Sequence, residues 1–170
     1  MRMRGFSLIE VMVTLALLVT LGSLAAPAFQ AAIGNAQIRT VAESIRNGLQ
    51  LARIEAIKRN SRVRFVVQND GSWQIGCVTV TTSCPATITQ KSAVEGASST
   101  TLISADNSSA VFSGFGTRDP AAASALTVVN ISNTQVAAAE QRSLRVQLAA
   151  GGTVKVCDPS VTSSGDTRAC

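Results

Sequence analysis

The sequence predicts an α+β protein in which one long N-terminal helix packs on an antiparallel β-sheet domain. Three observations lead to this prediction. The stretch from Phe6 to Phe29 is almost continuously apolar, apolar residues then recur at helical spacing as far as Arg59, and short strand-like runs separated by turn residues follow to Cys170. A helix followed by a series of strands is the order typical of the α+β class.

The first five residues and the apolar stretch after them resemble a membrane insertion signal. Residues 1–5 are short and basic through Arg2 and Arg4. A helix over Phe6–Phe29 rises about 36 Å at 1.5 Å per residue, which is enough to cross a hydrocarbon core of about 30 Å with some tilt. The two arginines would keep the N-terminus in the cytoplasm.

An ordinary secretory signal peptide is the alternative interpretation of this segment. It is disfavoured because the apolar region is well beyond the usual length of about 7–15 residues. The segment also carries Glu10 near its start. A carboxylate inside a membrane costs about 2.5–3.5 kcal/mol on insertion scales, so an acid in this position indicates a functional role.

The second part of the helix, over residues 30–60, is predicted to be amphipathic. Apolar residues recur there at spacings of three, four and seven, which places them on one helical face. They are Ile38, Val41, Ala42, Ile45, Leu49, Ala52 and Ala56. We therefore predict one helix from Phe6 to about Arg59, bent near Pro27 or Gly34, whose apolar stripe is covered by the domain at 61–170.

That domain is predicted to be β-rich, with about six antiparallel strands. Arg62–Val67 and Trp73–Val80 flank Asn69–Gly71, which is a hairpin turn signal. The further runs with β propensity are Thr101–Ser104, Ala110–Ser113, Leu126–Ile131, Ser143–Leu148 and Thr153–Cys157. Residues 86–100 and 117–124 are polar and rich in small residues, so both are predicted to be loops.

The four cysteines favour disulfides, because an even count is typical of exported chains. Three connectivities are open, and local pairing of Cys77 with Cys84 and of Cys157 with Cys170 is the simplest. A metal site is disfavoured because the sequence has no His and no Cys-x-x-Cys spacing.

No catalytic pattern is recognisable in the sequence, which has no His and no Tyr. The acids are scattered, and no G-x-S-x-G or phosphate-binding glycine loop occurs. We therefore expect neither an enzyme nor a cofactor. The net charge of +5, from 15 basic and 10 acidic residues, falls to about +3 without residues 1–5, which does not by itself indicate a nucleic-acid partner.

The segment Gly5–Glu10, Gly-Phe-Ser-Leu-Ile-Glu, resembles the class III signal of type IV prepilins and pseudopilins. The resemblance implies that a prepilin peptidase cleaves after Gly5 and that the new N-terminal Phe6 is N-methylated. It places the acidic fifth residue of mature pilins at Glu10 and their helix-kinking proline at Pro27. An acid in lipid is tolerated only with a partner, and the free amino group of a neighbouring subunit would supply one during assembly.

The downstream chain is similar to minor pilins and pseudopilins of the FimU, FimT and GspH kind. The segments that carry this looser resemblance are Ala52–Arg59, Trp73–Gly76, Val111–Gly116 and Gly151–Asp158. It implies a minor type IV pilin that primes or supports pilus assembly near the tip, or a type II secretion pseudopilin. The implied partners are other minor pilins, the major pilin, the prepilin peptidase, the inner-membrane assembly platform and the inner membrane itself. The β-rich domain at 61–170, called the head below, would lie in the periplasm and then on the pilus.

A cluster of basic residues surrounds the predicted end of the helix. Its members are Arg53, Lys58, Arg59, Arg62 and Arg64. The plainest interpretation is a solvated helix end, where cations are favourable. A contact to an acidic neighbour and DNA capture of the FimT kind are the alternatives. DNA is disfavoured because the tail Asp158–Cys170 has only Arg168, with no aromatic residues interleaved to stack bases.

Overall fold

The structure is a computed structural model that describes residues 7–93, 99–120, 125–163 and 165–170. It contains one helix followed by eight strands. In chain order these are α1 (Leu8–Arg59), β1 (Val63–Val67), β2 (Trp73–Cys77), β3 (Thr89–Lys91), β4 (Thr101–Ala105), β5 (Ser109–Phe112), β6 (Val128–Asn133), β7 (Leu144–Leu148) and β8 (Val154–Cys157).

Helix α1 is continuous over 52 residues and includes Pro27. It ends where Asn60 adopts the left-handed conformation, with φ 44° and ψ 45°. The N–H of Asn60 donates to the carbonyl of Ile57 at 3.1 Å and that of Ser61 to Ala56 at 3.1 Å. Asparagine tolerates this conformation, and the two bonds satisfy carbonyls that the helix end would otherwise leave unpaired. The bend near Pro27 or Gly34 stays a prediction.

The strands form two four-stranded antiparallel sheets, and the helix lies against both. The first has the order β3-β2-β1-β5 and the second β4-β6-β7-β8. The second half of α1 buries the apolar stripe that the sequence predicted. The buried residues of the helix are Gly34, Ile38, Val41, Ala42, Ile45, Gly48, Leu49, Ala52, Glu55 and Ala56. The α+β class and the position of the core are thereby confirmed.

Gly48 shows how tightly the helix meets the first sheet. A Cβ there would lie 2.7 Å from Cε2 of Phe65 and 3.0 Å from Cε2 of Trp73. The Trp73 indole donates to the Ser44 hydroxyl at 3.0 Å, which fixes the ring against the helix. Only glycine at position 48 allows this approach.

Two details of the predicted architecture were wrong. About six strands in one sheet were expected, and the described residues form eight in two sheets. The predicted loop 86–100 contains β3, which pairs with β2 through Gln74 and Gln90. Its sequence, Thr-Gln-Lys, has no apolar alternation, so the strand depends on the neighbouring edge of β2 rather than on a local signal.

Candidate functional site

The first half of α1 is an apolar surface that nothing in the described chain covers. Every residue from Ser7 to Gln30 is exposed. Its large apolar side chains are Leu8, Ile9, Val11, Met12, Val13, Leu15, Leu17, Leu18, Val19, Leu21, Leu24 and Phe29. Helix α1 has the length and composition to cross a membrane. Exposed apolar surface on this scale marks a site of association with lipid or protein.

Glu10 is the acid of this surface, and it lies in the first turn of α1. Its carboxylate makes no ion pair with any of the described residues. Of the four hydroxyl side chains of the segment, those of Thr14, Thr20 and Ser23 bond to carbonyls one turn back at 2.8–2.9 Å. Glu10 is the one charged side chain of residues 7–30, and its counter-ion has to come from outside this segment. Gly5 and Phe6, the predicted cleavage and methylation residues, lie outside the described residues.

The β6–β7 connection holds the helix where it enters the head. Asn35 Nδ2 donates to the carbonyl of Glu140 at 3.0 Å, and its Oδ1 accepts from the N–H of Arg142 at 2.8 Å. Nearby, the buried Asn133 donates to Gln37 Oε1 at 3.0 Å. Asn35 thus binds the connection and Gln37 the end of β6, so the β-rich domain is fixed to the helix directly beyond the uncovered half.

The basic cluster at the other end of α1 is largely engaged within the fold. Arg59 Nε lies 2.7 Å from an oxygen of Glu55, and its Nη1 donates to the Ser83 carbonyl in the Cys77–Cys84 loop. Lys58 Nζ lies 3.7 Å from the other Glu55 oxygen. Glu55 is buried, so the two cations compensate for the cost of a carboxylate inside the domain.

The remaining basic residues of the cluster differ in their environments. Arg62 pairs with Asp119 at 2.6 Å. Arg53 is half-buried beneath the turns at Gly116 and Gly152, and its Nε has no hydrogen-bond partner among the described residues. Arg64 is exposed on the outer side of β1. Because Lys58, Arg59 and Arg62 are paired with acids, the arrangement favours the interpretation of a helix end braced by ion pairs.

Both disulfides of the structure are local. Cys77 is joined to Cys84 and Cys157 to Cys170. Inside the second loop the N–H of Asp158 donates to the Arg168 carbonyl at 2.7 Å, and Lys155 Nζ donates to the Ala169 carbonyl at 2.7 Å. The last residues are thereby tied to β8, which prevents the fraying usual at a chain end.

Among the carboxylates with a lowered pKa, Asp106 and Asp166 act as local braces. A hydrogen bond from the side chain of Arg168 lowers the pKa of Asp166 to about 2. Burial acts to raise the pKa of Asp106, but hydrogen bonds from the Thr127 side chain and from the N–H groups of Thr127, Val128 and Asn107 outweigh it, so the pKa is lowered.

Comparisons with known proteins agree with the fold and the N-terminal signal. The family described as type II transport protein GspH matches residues 41–152, which is 112 of the 170 residues. The prokaryotic N-terminal methylation motif matches residues 1–26. A search of curated proteins gave no match.

Two solved structures are similar in fold. The type IV minor pilin FimU of Pseudomonas aeruginosa is 16% identical, with a TM-score of 0.53, over 75% of this chain and 92% of that chain. The minor pseudopilin EpsH from the type 2 secretion system of Vibrio cholerae is 13% identical, with a TM-score of 0.51, over 74% of this chain and 99% of that chain.

These findings fit the geometry, in which an uncovered apolar helix leads into a small β-rich head. Membership of this family implies assembly with other pilins in a pilus or pseudopilus. The apolar helix and the methylation motif are those of a protein that is anchored in the membrane before it assembles. The chain therefore belongs to the GspH family and is a minor pilin or pseudopilin.

Proposed function

We propose that this chain is a minor type IV pilin that a prepilin peptidase cleaves after Gly5 and that then helps to prime a filament near its tip. Before assembly it crosses the inner membrane once, with its N-terminus in the cytoplasm and its head in the periplasm. Arg2 and Arg4 support this orientation.

The observation that carries the proposal is the complete exposure of the apolar half of α1. None of the apolar stretch that is long enough to cross a membrane is buried in the head. A soluble protein would cover such a surface, so it has to lie in lipid and then among the helices of other subunits. The subunit therefore moves from one apolar environment to another without exposing the helix to water.

In this scheme Glu10 favours transfer of the subunit from the membrane into the filament. In lipid the carboxylate is unfavourable, and the α-amino group of a neighbouring mature subunit offers the charge that compensates for it. In this scheme Phe6 carries that amino group in its methylated form. The pairing stabilises the assembled state relative to the membrane-bound state.

A pseudopilin of a type II secretion system is the second candidate, because the matched family is described as a type II transport protein. The two roles differ in what fails when the gene is deleted. Loss of surface pili with normal secretion supports the pilus role. Loss of exoprotein secretion with normal pili supports the pseudopilin role.

Two substitutions test the proposal. Gly5→Ala should leave residues 1–5 attached, which a blot detects as a slower-migrating precursor. Glu10→Ala should be cleaved normally and should enter sheared filaments poorly. Thr14→Ala is the matched control, since Thr14 lies one turn further along the same apolar half. Normal cleavage of Gly5→Ala, or equal incorporation of Glu10→Ala and Thr14→Ala, would refute it.

DNA capture gains little support from the arrangement of the basic cluster. Arg59 and Arg62 are paired with acids, and Arg53 is half-buried. A gel-shift assay at low ionic strength with the full chain in detergent tests this alternative. Salt-sensitive binding that is lost on substitution of Arg53, Arg59 and Arg62 would revive it.

A further inference from the structure

We propose that a groove between α1 and the C-terminal disulfide loop binds an acidic segment of a different subunit. The groove has a volume of about 650 Å³, within the range of about 300–1,000 Å³ typical of ligand sites. The residues that line it are Asn35, Ala36, Arg39, Glu43, Arg46, Arg142, Leu144, Val156, Cys157, Asp158, Thr167 and Arg168. The proposal rests on the proposed function only for the identity of the partner as a neighbouring subunit.

Two arginines of the groove have no counter-ion among the described residues. Arg46 is exposed on α1 and Arg142 is exposed at the end of the β6–β7 connection. No ion pair of the described chain includes either guanidinium group. The backbone of Arg142 is nevertheless fixed, because its N–H donates to Asn35 Oδ1 at 2.8 Å. The two guanidinium groups thus lie on different elements that line the same groove and are free to bind carboxylates.

Two further arginines of the groove are already paired. Arg39 lies 3.0 Å from Glu43 on the same helix, and both side chains are more than half exposed. Arg168 lies 2.7 Å from Asp166. Within each pair the two charges cancel, so these pairs make the edges of the groove polar without making it more positive. With Glu43, Asp158 and Asp166 set against the four arginines, the groove keeps a positive excess of one.

The floor of the groove is apolar. Leu144 and Val156 are half-buried there and pack against the core, and Ala36 adds a small side chain on the helix wall. A site with an apolar floor and charged rims suits the mixed side chains of a protein segment. It gives specificity through the two unpaired arginines and contact area through the floor.

A protein segment fits this groove better than a nucleic acid or a second copy of the chain. A nucleic acid is disfavoured because no aromatic side chain lines the groove to stack a base. A second copy without residues 1–5 still carries a net charge of about +3, so a more acidic subunit complements the groove better. An acidic segment of another subunit does complement it.

The test uses the full chain, purified in detergent micelles, and a fluorescein-labelled hexaglutamate peptide. Fluorescence anisotropy at low ionic strength should show binding that salt weakens, whereas labelled hexalysine should not bind. Arg46→Glu and Arg142→Glu should each weaken binding about five-fold or more. Arg64→Glu is the matched control, because Arg64 is exposed and unpaired but lies outside the groove, and it should bind as the wild type does.

The outcomes separate this proposal from its alternatives. Equal affinity of Arg46→Glu, Arg142→Glu and Arg64→Glu, or no peptide binding, would overturn it. Tighter binding of a labelled hexathymidylate that depends on the same two arginines would replace the protein partner by a nucleic acid. Arg46→Gln and Arg142→Gln, checked for unchanged thermal unfolding, exclude misfolding as the cause. Glu10→Ala should bind the peptide normally, so a failure of assembly and a failure of the groove are distinguishable.

Discussion

The side chain of Val136 lies over Gly34 so closely that a Cβ added to this glycine would stand 2.3 Å from its Cγ2. Real Cβ atoms do not reach that distance, so the β6–β7 connection has to move in any variant with a side chain at position 34. The contact lies in the first buried turn of α1, where the helix enters the head.

Gly34→Ala should therefore destabilise the head. Overpacking costs about 1–3 kcal/mol, whereas the alanine gains about 1 kcal/mol of helix propensity. Urea unfolding of the full chain in micelles, followed by the fluorescence of the single tryptophan, Trp73, measures the net change. Gly22→Ala is the control, since nothing lies within 4 Å of a Cβ at that position. Val136→Ala should rescue the Gly34→Ala variant, and a Gly34→Ala variant as stable as Gly22→Ala would contradict the close approach.

The ion pair between Glu55 and Arg59 should stabilise the domain more than the pair between Arg39 and Glu43, which has the same spacing on the helix. Glu55 and Arg59 are 11% and 24% exposed, whereas Arg39 and Glu43 are 76% and 54% exposed. Exposed pairs at this spacing contribute about 0.3–0.5 kcal/mol. Two double-mutant cycles with alanine measure both coupling energies. We expect about 1 kcal/mol or more for Glu55–Arg59, and a coupling no larger than that of Arg39–Glu43 would rule out the bracing role.

Asp106 should make the stability of the head depend on pH. Its carboxylate accepts hydrogen bonds from the N–H groups of Thr127 and Val128 at 3.0–3.2 Å and so attaches the start of β6 to the β4–β5 turn. The pKa of Asp106 is lowered in the folded state. Its contribution is therefore complete above the ordinary value of 3.8 and is lost as the pH falls through the folded value.

Urea unfolding of the wild type and of Asp106→Asn over a series from neutral pH to about pH 2 checks this prediction. The wild type should be the more stable near neutrality, and the difference should shrink below about pH 4 as Asp106 becomes protonated. A difference that stays constant over the series would show that Asp106 does not act through its charge.

The C-terminal disulfide should stabilise the head chiefly through the unfolded state. Cys157 and Cys170 are 13 residues apart, and Cys77 and Cys84 are 7 apart. A crosslink across a longer loop restricts the unfolded chain more, and native disulfides commonly contribute about 2–4 kcal/mol. Replacing both cysteines of each pair by serine and measuring urea unfolding should give the larger loss for Cys157–Cys170. The opposite order would point to native contacts of the Cys77–Cys84 loop, such as the bond from Arg59 to Ser83, as the stronger effect.

The helix was the most predictable part of the molecule. Its apolar stripe has a strict period and its end is marked locally by Arg59-Asn60, so α1 ends at the predicted residue. Strand β3 could not be predicted, because its residues are polar and its pairing depends on the exposed edge of β2. The division into two sheets is likewise a matter of long-range pairing, which alternation within one strand does not encode.

The sequence identified the basic residues, but it could not predict which of them are paired with acids or line the same groove. Arg53, Arg59 and Arg62 are close in sequence, yet one is half-buried and two are paired with acids. Conversely, Arg46 and Arg142 are almost a hundred residues apart and line one groove. Only the packing of the second sheet on α1 brings them together, and no local pattern marks that contact.

The uncovered and covered halves of α1 belong to one helix without a linker. A helix turns by about 100° and rises 1.5 Å with each residue. The number of residues between Glu10 and Gly34 therefore sets how far the head lies from Glu10 along the helix axis and in which direction around that axis it faces. One residue inserted into that interval would swing every surface of the head by more than a quarter of a revolution relative to the acid. Because α1 is continuous, the orientation of the membrane segment around the helix axis determines which surface of the head faces a neighbouring subunit.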